Sequence, residues 1–366
     1  MPRQNREPEK TARLRQRLLG WYAHSRRDLP WRHEANPYSI WVSEIMLQQT
    51  RVAVVVDRYR AFMERFPTLL ALALASEQDV LALWSGLGYY RRARMLHKAA
   101  QFVADRYGGN LPATAEELRT LPGIGAYTAA AIASIAHGEP VAVVDGNVER
   151  VLCRLAGWDS GSRKGGGATL RRKIETLASQ LVDPANAGDF NQALMELGAT
   201  VCLPRNPQCL LCPVAGDCTT QGEHKTPARP RMLSREVGHA LSVRMGFQPG
   251  QASREVLLEQ RPASLTVMPG MWELPSLRDP AVPDQEVRMT LRHSIMQVNY
   301  YVRIQTVFED DADALTVPAG ERRWVPLSQA AGMALTGLTR KVLTRARLLS
   351  TGLMDTIAPD RDGDVL

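Results

Sequence analysis

The stretch 121-LPGIGAYTAAAIASIAHGEPVAVVDGNVERVLCRL-155 decides how the first half of the chain folds. Thr114, three residues before Glu117, opens a short helix as a capping box, and Leu121-Pro122-Gly123-Ile124-Gly125 then reverses the chain before a second helix over Tyr127–Ala136. The unit is a helix-hairpin-helix. Gly123 and Gly125 leave backbone N–H groups bare at a helix N-terminus, where a phosphate gains both hydrogen bonds and the helix dipole. The same turn also serves as a plain glycine-rich link between helices. Asp145 precedes a further helix that ends near Gly157, and its first role there is as an N-cap. The dipole favours the anion at that position, and a fixed anion is what a cationic transition state requires.

A second carboxyl lies upstream. Glu44 sits in 40-IWVSEIMLQQTRV-52 among Trp41, Val42, Ile45 and Met46, and helical spacing puts Glu44, Gln48 and Arg51 on one face. Glu44 is therefore either an ion-pair partner of Arg51 or a carboxyl that burial keeps partly protonated, the state of a general acid near neutral pH. One protonated and one ionised carboxyl form the pattern that cleaves glycosidic bonds through an oxocarbenium-like transition state. Beside a phosphate-binding turn, the glycoside is a nucleoside within DNA.

The 366 residues suffice for two domains, and the net charge of +7 points to a polyanionic partner. The first 16 residues, MPRQNREPEKTARLRQ, lack the apolar core of a signal peptide, and nowhere do about 18 apolar residues run together. The expectation is a soluble, cytoplasmic bacterial protein that associates with the nucleoid through DNA. Five cysteines in this length exclude a secreted disulfide framework. Cys202, Cys209, Cys212 and Cys218 are separated by six, two and five residues, a spacing that suits zinc or a [4Fe–4S] cluster. Cys153, on an apolar helix, reads as an inert core residue.

Apolar residues recur at helical spacing from about residue 8 to 200, as in 58-RYRAFMERFPTLLALALA-75 and 170-LRRKIETLASQLV-182. The polar stretch 219–235, with two prolines, reads as a linker. Beyond it 236-EVGHALSVRM-245, 254-REVLLEQR-261, 296-MQVNYYVRIQTVF-308 and 322-RRWVPL-327 are short and β-rich. The fold class is all-α followed by α+β: domain 8–218 with a cysteine loop at 202–218, linker 219–235, domain 236–350 and a flexible tail at 351–366.

Residues from about 10 to 225 resemble the endonuclease III superfamily and, more narrowly, the MutY-type adenine DNA glycosylases. The motifs that carry the resemblance are LPWR (29–32), WVSEIMLQQT (41–50), SGLGYYRRAR (85–94), LPGIGAYTA (121–129), VVDGNVERV (143–151), MELGATVC (195–202) and the cysteine loop. The resemblance implies two helical lobes holding DNA and an extruded base, a [4Fe–4S] cluster on the four cysteines, and action as a monomer on duplexes with adenine opposite 8-oxoguanine or guanine. It implies that Glu44 protonates N7 of the flipped adenine and Asp145 stabilises or traps the sugar cation, supported by Tyr127 and Asn147. Trp31, Arg32 and Glu196 match the adenine pocket, while Gln48, Leu87 and Tyr89 match residues wedged into the duplex, which help to offset the few kcal/mol that extrusion costs.

Relatives that also cleave the strand open the hairpin's second helix with a lysine. Here that position is Tyr127, and no lysine lies between Leu111 and Arg163, so the expected product is an abasic site. The alternatives are a bifunctional glycosylase-lyase and a non-catalytic DNA-binding protein. Residues 235–350 resemble a Nudix-like domain through LLEQRP (257–262) and PGMWELP (269–275), without the acidic helix needed to hydrolyse nucleoside diphosphates. That family reads 8-oxoguanine with His-X-Phe-Ser-His; 293-HSIMQVN-299 departs from it at Ile295, Met296 and Gln297.

Overall fold

The computed structural model describes residues 6–159, 167–224, 231–248 and 251–349. The chain divides into two compact units. The first comprises Met1–Gln49, Met63–Leu74 and Met95–Ala228, the second Thr50–Phe62, Ala75–Arg94 and Arg229–Leu366. In chain order the helical half runs α1 (Arg6–Ser25), α2 (Pro37–Leu47), α3 (Val52–Arg65), α4 (Leu69–Leu74), α5 (Glu77–Leu83), α6 (Arg91–Tyr107), α7 (Ala115–Leu118), α8 (Ala126–His137), α9 (Gly146–Ala156), α10 (Gly167–Leu181) and α11 (Ala187–Thr200). Most of α3, all of α5 and the start of α6 belong to the second unit.

Helix α2 is largely apolar, and every residue from Tyr38 to Met46 is buried, Ser39, Ser43 and Glu44 included, as in a helix that crosses a core. Its N-terminus is fixed by Pro37 and by the Asn36 carboxamide oxygen, which accepts the N–H groups of Tyr38 and Ser39 at 2.9 and 3.3 Å. It stops at Leu47, because Gln48 leaves the helical conformation at ψ 112° and Gln49 takes a φ of +58°. The single helical face expected for Glu44, Gln48 and Arg51 therefore does not exist, and Glu44 is not an Arg51 partner by helical spacing.

The hairpin forms as its sequence directs. Thr114 caps α7 by accepting the Glu117 N–H at 3.2 Å and donates its hydroxyl to the Glu117 carboxylate at 2.8 Å. Gly123 sits at φ +76°, where a Cβ would meet the Met95 Cβ at 2.8 Å, so the turn needs glycine on both counts. Gly125 is the N-cap of α8 and supplies no capping side chain, leaving the first-turn N–H groups open. The alanines at 129, 130, 131 and 133 let α8 pack closely, and Gly188 on α11 accommodates it: a Cβ there would lie 2.8 Å from the Ser134 carbonyl oxygen. Leu14 and Leu18 of α1, Val151 and Leu152 of α9, Ile174 of α10 and Phe190, Leu194 and Leu197 of α11 form one core. Truncating the fully buried Phe190 to alanine costs about 3–5 kcal/mol on the usual scale for such sites.

The second unit adds β1 (Leu233–Leu241), β2 (Val243–Gln248), β3 (Gln251–Gln260), β4 (Trp272–Glu273), β5 (Ser276–Leu277), β6 (Val287–Ile295), β7 (Val298–Thr306), β8 (Thr316–Val317) and β9 (Arg322–Pro326), with α12 (Ala312–Leu315), α13 (Leu327–Ala330) and α14 (Gly337–Arg345). One sheet has the order β6-β7-β1-β5-β8, and the other joins β2, β3 and β4 with β9 on β3. Strands β1 and β7 run parallel in register from Leu233↔Val298 to Leu241↔Thr306. Leu241, Val256, Leu258, Trp272, Ile304, Val325 and Val342 share a core. Strand β6 escaped the sequence reading because 287-VRMTLRHSI-295 is largely polar and buries only Leu291 fully. Strand β1 starts at Leu233, inside the stretch read as linker. Residues 225–230 of that linker and the expected tail at 351–366 lie outside the described residues.

Candidate active site

Helices α2 and α8 bring a buried carboxyl and a half-buried tyrosine hydroxyl together in the first unit. The Tyr127 hydroxyl donates to Glu44 Oε2 at 2.6 Å. Burial pushes the Glu44 carboxyl up to about 7; the Tyr127 hydrogen bond opposes the rise and the charge of Asp145 adds to it. Burial, and then the neighbouring Glu44 charge, hold the Tyr127 hydroxyl well above the usual tyrosine value, so it stays a donor. At neutral pH Glu44 therefore exists in both states, and its protonated form can give a proton to a leaving base.

Asp145 is the N-cap of α9, accepting the Val148 N–H at 2.7 Å with Oδ1 and the Asn147 side-chain amide at 2.9 Å with Oδ2. One oxygen thus caps the helix while the other is held by Asn147. Asn147 is held in turn by Arg150, which donates to Asn147 Oδ1 at 2.9 Å, to the Gly198 carbonyl at 2.7 Å and to the Cys202 carbonyl at 2.8 Å. Gly198 is required for this approach, since a Cβ there would fall 2.6 Å from the Asn147 Cβ. Asn191 fixes the strand-like approach to Asp145 by accepting the Val143 N–H at 3.1 Å and donating to the Val141 carbonyl at 2.8 Å. Sequence reasoning missed Arg150, Asn191 and Gly198; of these only Arg150 left a signal, at i+3 from Asn147 on the same helix.

Glu196, on α11, is fully buried as a side chain between two guanidinium groups. Arg27 reaches both its oxygens at 2.7 and 2.9 Å, and Arg32 reaches Oε2 at 2.8 Å. Burial alone would raise this carboxyl, yet the two arginine hydrogen bonds outweigh it and hold Glu196 below the ordinary value. Arg27 is a further residue that the motifs did not single out. Trp31 is buried beside this network in the short 3-10 turn Pro30–Arg32, and Gln48 donates to the Thr128 hydroxyl at 3.3 Å.

Leu87 and Tyr89 belong to the second unit. Leu87 is only 4% exposed. Tyr89 is half exposed, with φ +48°, and the Arg92 guanidinium lies 5.5 Å from its ring centre.

The four cysteines are all free and line one cavity together with Arg154, Val201, Pro207 and Ala215. The four thiols share this one space. Four soft thiolates around such a space fit a cubane of iron and sulfide. Arg154 donates to Cys202 Sγ at 3.3 Å and to the Leu203 and Pro204 carbonyls at 2.7 and 3.0 Å, so the loop is tied to α9. Cys153 is buried and its thiol is pushed up to about 11 by burial, as an inert core cysteine should be.

Comparison with known proteins gives the family. Residues 42–176 match the HhH-GPD superfamily of base excision DNA repair proteins, and residues 202–218 match the iron–sulfur binding domain of endonuclease III. Among solved structures, a thermostable thymine-DNA glycosylase superposes with a TM-score of 0.53 at 31% identity, covering 58% of this chain and 97% of its own. The fold and site therefore define a helix-hairpin-helix base-excision protein. Adenine DNA glycosylase of Mus musculus is 38% identical over 90% of this chain and 77% of its own length, and that of Homo sapiens is 40% identical over 74% and 59%. The chain belongs to the adenine DNA glycosylase family and carries one [4Fe–4S] cluster. It spans 59% of the human protein's length. Among the described residues no helix is long and apolar enough to cross a membrane.

Proposed function

We propose that the chain removes adenine from DNA in which adenine stands opposite 8-oxoguanine or guanine, by hydrolysis of the N-glycosidic bond. The single observation that carries the reading is Glu44: a buried carboxyl held near neutrality at about 7, hydrogen-bonded to Tyr127 and within electrostatic reach of Asp145. In this mechanism neutral Glu44 protonates N7 of the flipped adenine as the C–N bond lengthens. Asp145 faces the growing positive charge on the sugar, and Tyr127 and Asn147 hold the two carboxyls in place. Trp31, Arg32 and Glu196 receive the base, Gly123 and Gly125 open backbone N–H groups to a phosphate, and Gln48 and Tyr89 stabilise the vacated duplex. Without a lysine on the hairpin helix the product keeps an intact strand.

Cys202, Cys209, Cys212 and Cys218 would hold the cluster, which would cross-link the loop that follows α11 to itself, while Arg154 ties that loop to α9. The α+β part at 236–350 is read as a Nudix-like domain that inspects the opposite base, joined to domain 8–218 by linker 219–235. The hairpin between β6 and β7 lacks the serine of the usual lesion reader. It carries Met296 at its tip, 72% exposed at φ +54°, and Ser294 donates its hydroxyl to Asn299 Oδ1 at 2.7 Å. A missing hydrogen-bond contact of this kind removes about 1–3 kcal/mol of discrimination, so the preference for 8-oxoguanine over guanine is narrower than in relatives with the serine. The test is single-turnover release of adenine from duplexes differing only in the opposite base, with borohydride trapping alongside. No release from either mispair, or a trapped covalent adduct, would overturn the reading.

A further inference from the structure

The loop that carries Tyr89 is strained, and its strain has to be maintained by something. Three of the four residues from Gly86 to Tyr89 have positive φ: Gly86 at +94°, Gly88 at +67° and Tyr89 at +48°. For a bulky aromatic residue that conformation is unfavourable and persists only where the surroundings over-determine it. Arg92, one turn along, supplies part of the restraint by donating to the Leu87 and Gly88 carbonyls at 2.9 and 3.1 Å.

The remaining restraint comes from the α+β part of the same unit. Ser85 is completely buried, and its hydroxyl accepts the Nε–H of Arg340 on α14 at 2.8 Å. The other arm of Arg340 reaches the Ala331 and Met333 carbonyls at 3.3 and 3.4 Å, which fixes the guanidinium in the loop between α13 and α14. Two residues further on, the Leu335 carbonyl accepts the Tyr90 hydroxyl at 3.5 Å, and Tyr90 is 5% exposed. Arg58 of α3 lies against the backbone of Gly86, 3.0 Å from where a Cβ would stand. Both guanidinium groups are held below the usual arginine value, Arg58 by burial and then by the charge of Arg340, Arg340 by burial. Two like charges are kept close and desolvated here, an arrangement that core packing does not require and that grips the strained loop at Ser85, Gly86 and Tyr90.

We infer that Arg340 is a positioning residue for Tyr89: through Ser85 it holds the 85–90 loop in the strained form that presents the tyrosine ring for insertion into DNA. The α+β part then acts on the duplex through the helical loop as well as by its own surface. This rests on the reading of Tyr89 as a DNA-inserted residue, and the experiment separates the two.

The probe is a duplex with an adenine–guanine mispair and 2-aminopurine next to the guanine, read as the stopped-flow fluorescence rise at saturating full-length protein, before base release. Tyr89→Ala should abolish most of the rise. Arg340→Ala should shift the equilibrium between inserted and non-inserted complexes by about fivefold, the effect of one lost hydrogen bond. The double variant should fall no lower than Tyr89→Ala alone, and Arg340→Lys should restore part of the signal. Should Arg340→Ala fail to fold, Ser85→Ala removes the acceptor together with the Ser85 hydrogen bond to Tyr90 and should give at least the same loss. A wild-type amplitude in folded Arg340→Ala or Ser85→Ala, or losses that add independently to that of Tyr89→Ala, overturns the inference. A wild-type amplitude in Tyr89→Ala overturns instead the placement of Tyr89 in the duplex, and the inference with it.

Discussion

Replacing Glu44 by glutamine should stabilise the protein while abolishing its chemistry. The carboxyl titrates at about 7 when folded, against 4.5 when free. Its folded value is raised, so the folded state binds the extra proton between those limits, and stability falls as pH rises from about 4.5 to about 7 and is level above that. The gap, at about 1.36 kcal/mol per pH unit, comes to about 3 kcal/mol, an upper value because a buried carboxylate relaxes its surroundings. Glutamine keeps the volume and still accepts the Tyr127 hydroxyl, but it carries no charge to bury. The variant should therefore match the wild type near pH 4.5 and gain on it progressively up to about pH 7. For a unit of roughly this size each kcal/mol moves the thermal midpoint by about 2–4 °C, so the difference at pH 8 should reach several degrees. The assay is a pair of melting series from pH 4.5 to 8.5, with adenine release measured on the same samples. A midpoint difference that does not change with pH, or that shrinks as pH rises, would refute the buried-acid reasoning, and near-normal release by the glutamine variant would remove Glu44 from the mechanism.

Asp145→Asn preserves a cap of nearly equal strength for the Val148 N–H; melting should be unchanged while single-turnover release collapses, whereas early melting with normal turnover would make Asp145 a cap alone. Tyr127→Phe removes a hydrogen bond that lowers the Glu44 value. The alkaline limb of the rate profile should then move to higher pH, and a shift to lower pH would count against the assignment. Gly198→Ala should cost about 1–3 kcal/mol by overpacking against Asn147 and slow release by displacing the start of α9, checked by denaturant titration and rate together. Anaerobic protein should carry about four irons per chain with a brown absorbance, and Cys209→Ser should lose both along with DNA affinity or folding. Colourless protein with stoichiometric zinc would sink that expectation.

Much of the site was legible because its signals are local. The capping box at Thr114, the glycine turn, Asp145 before α9 and the cysteine spacing each depend on residues within one or two turns of each other, where backbone sterics and hydrogen bonding act. Sequence alone therefore determined the helix-hairpin-helix, the all-α then α+β order, the pair of unlike carboxyls and, from Tyr127, the missing lysine. Tertiary structure decided who meets whom. The end of α2 at Leu47 separated Glu44 from the helical face shared with Arg51, and α8 brought Tyr127 to it across 83 residues. Arg27 found Glu196 across 169 residues, Asn191 found Val143 across 48, and Leu87 is buried. Such pairings follow from burial and from the approach distance that a single glycine such as Gly198 permits. Both are properties of packed surfaces, which no short window of sequence contains.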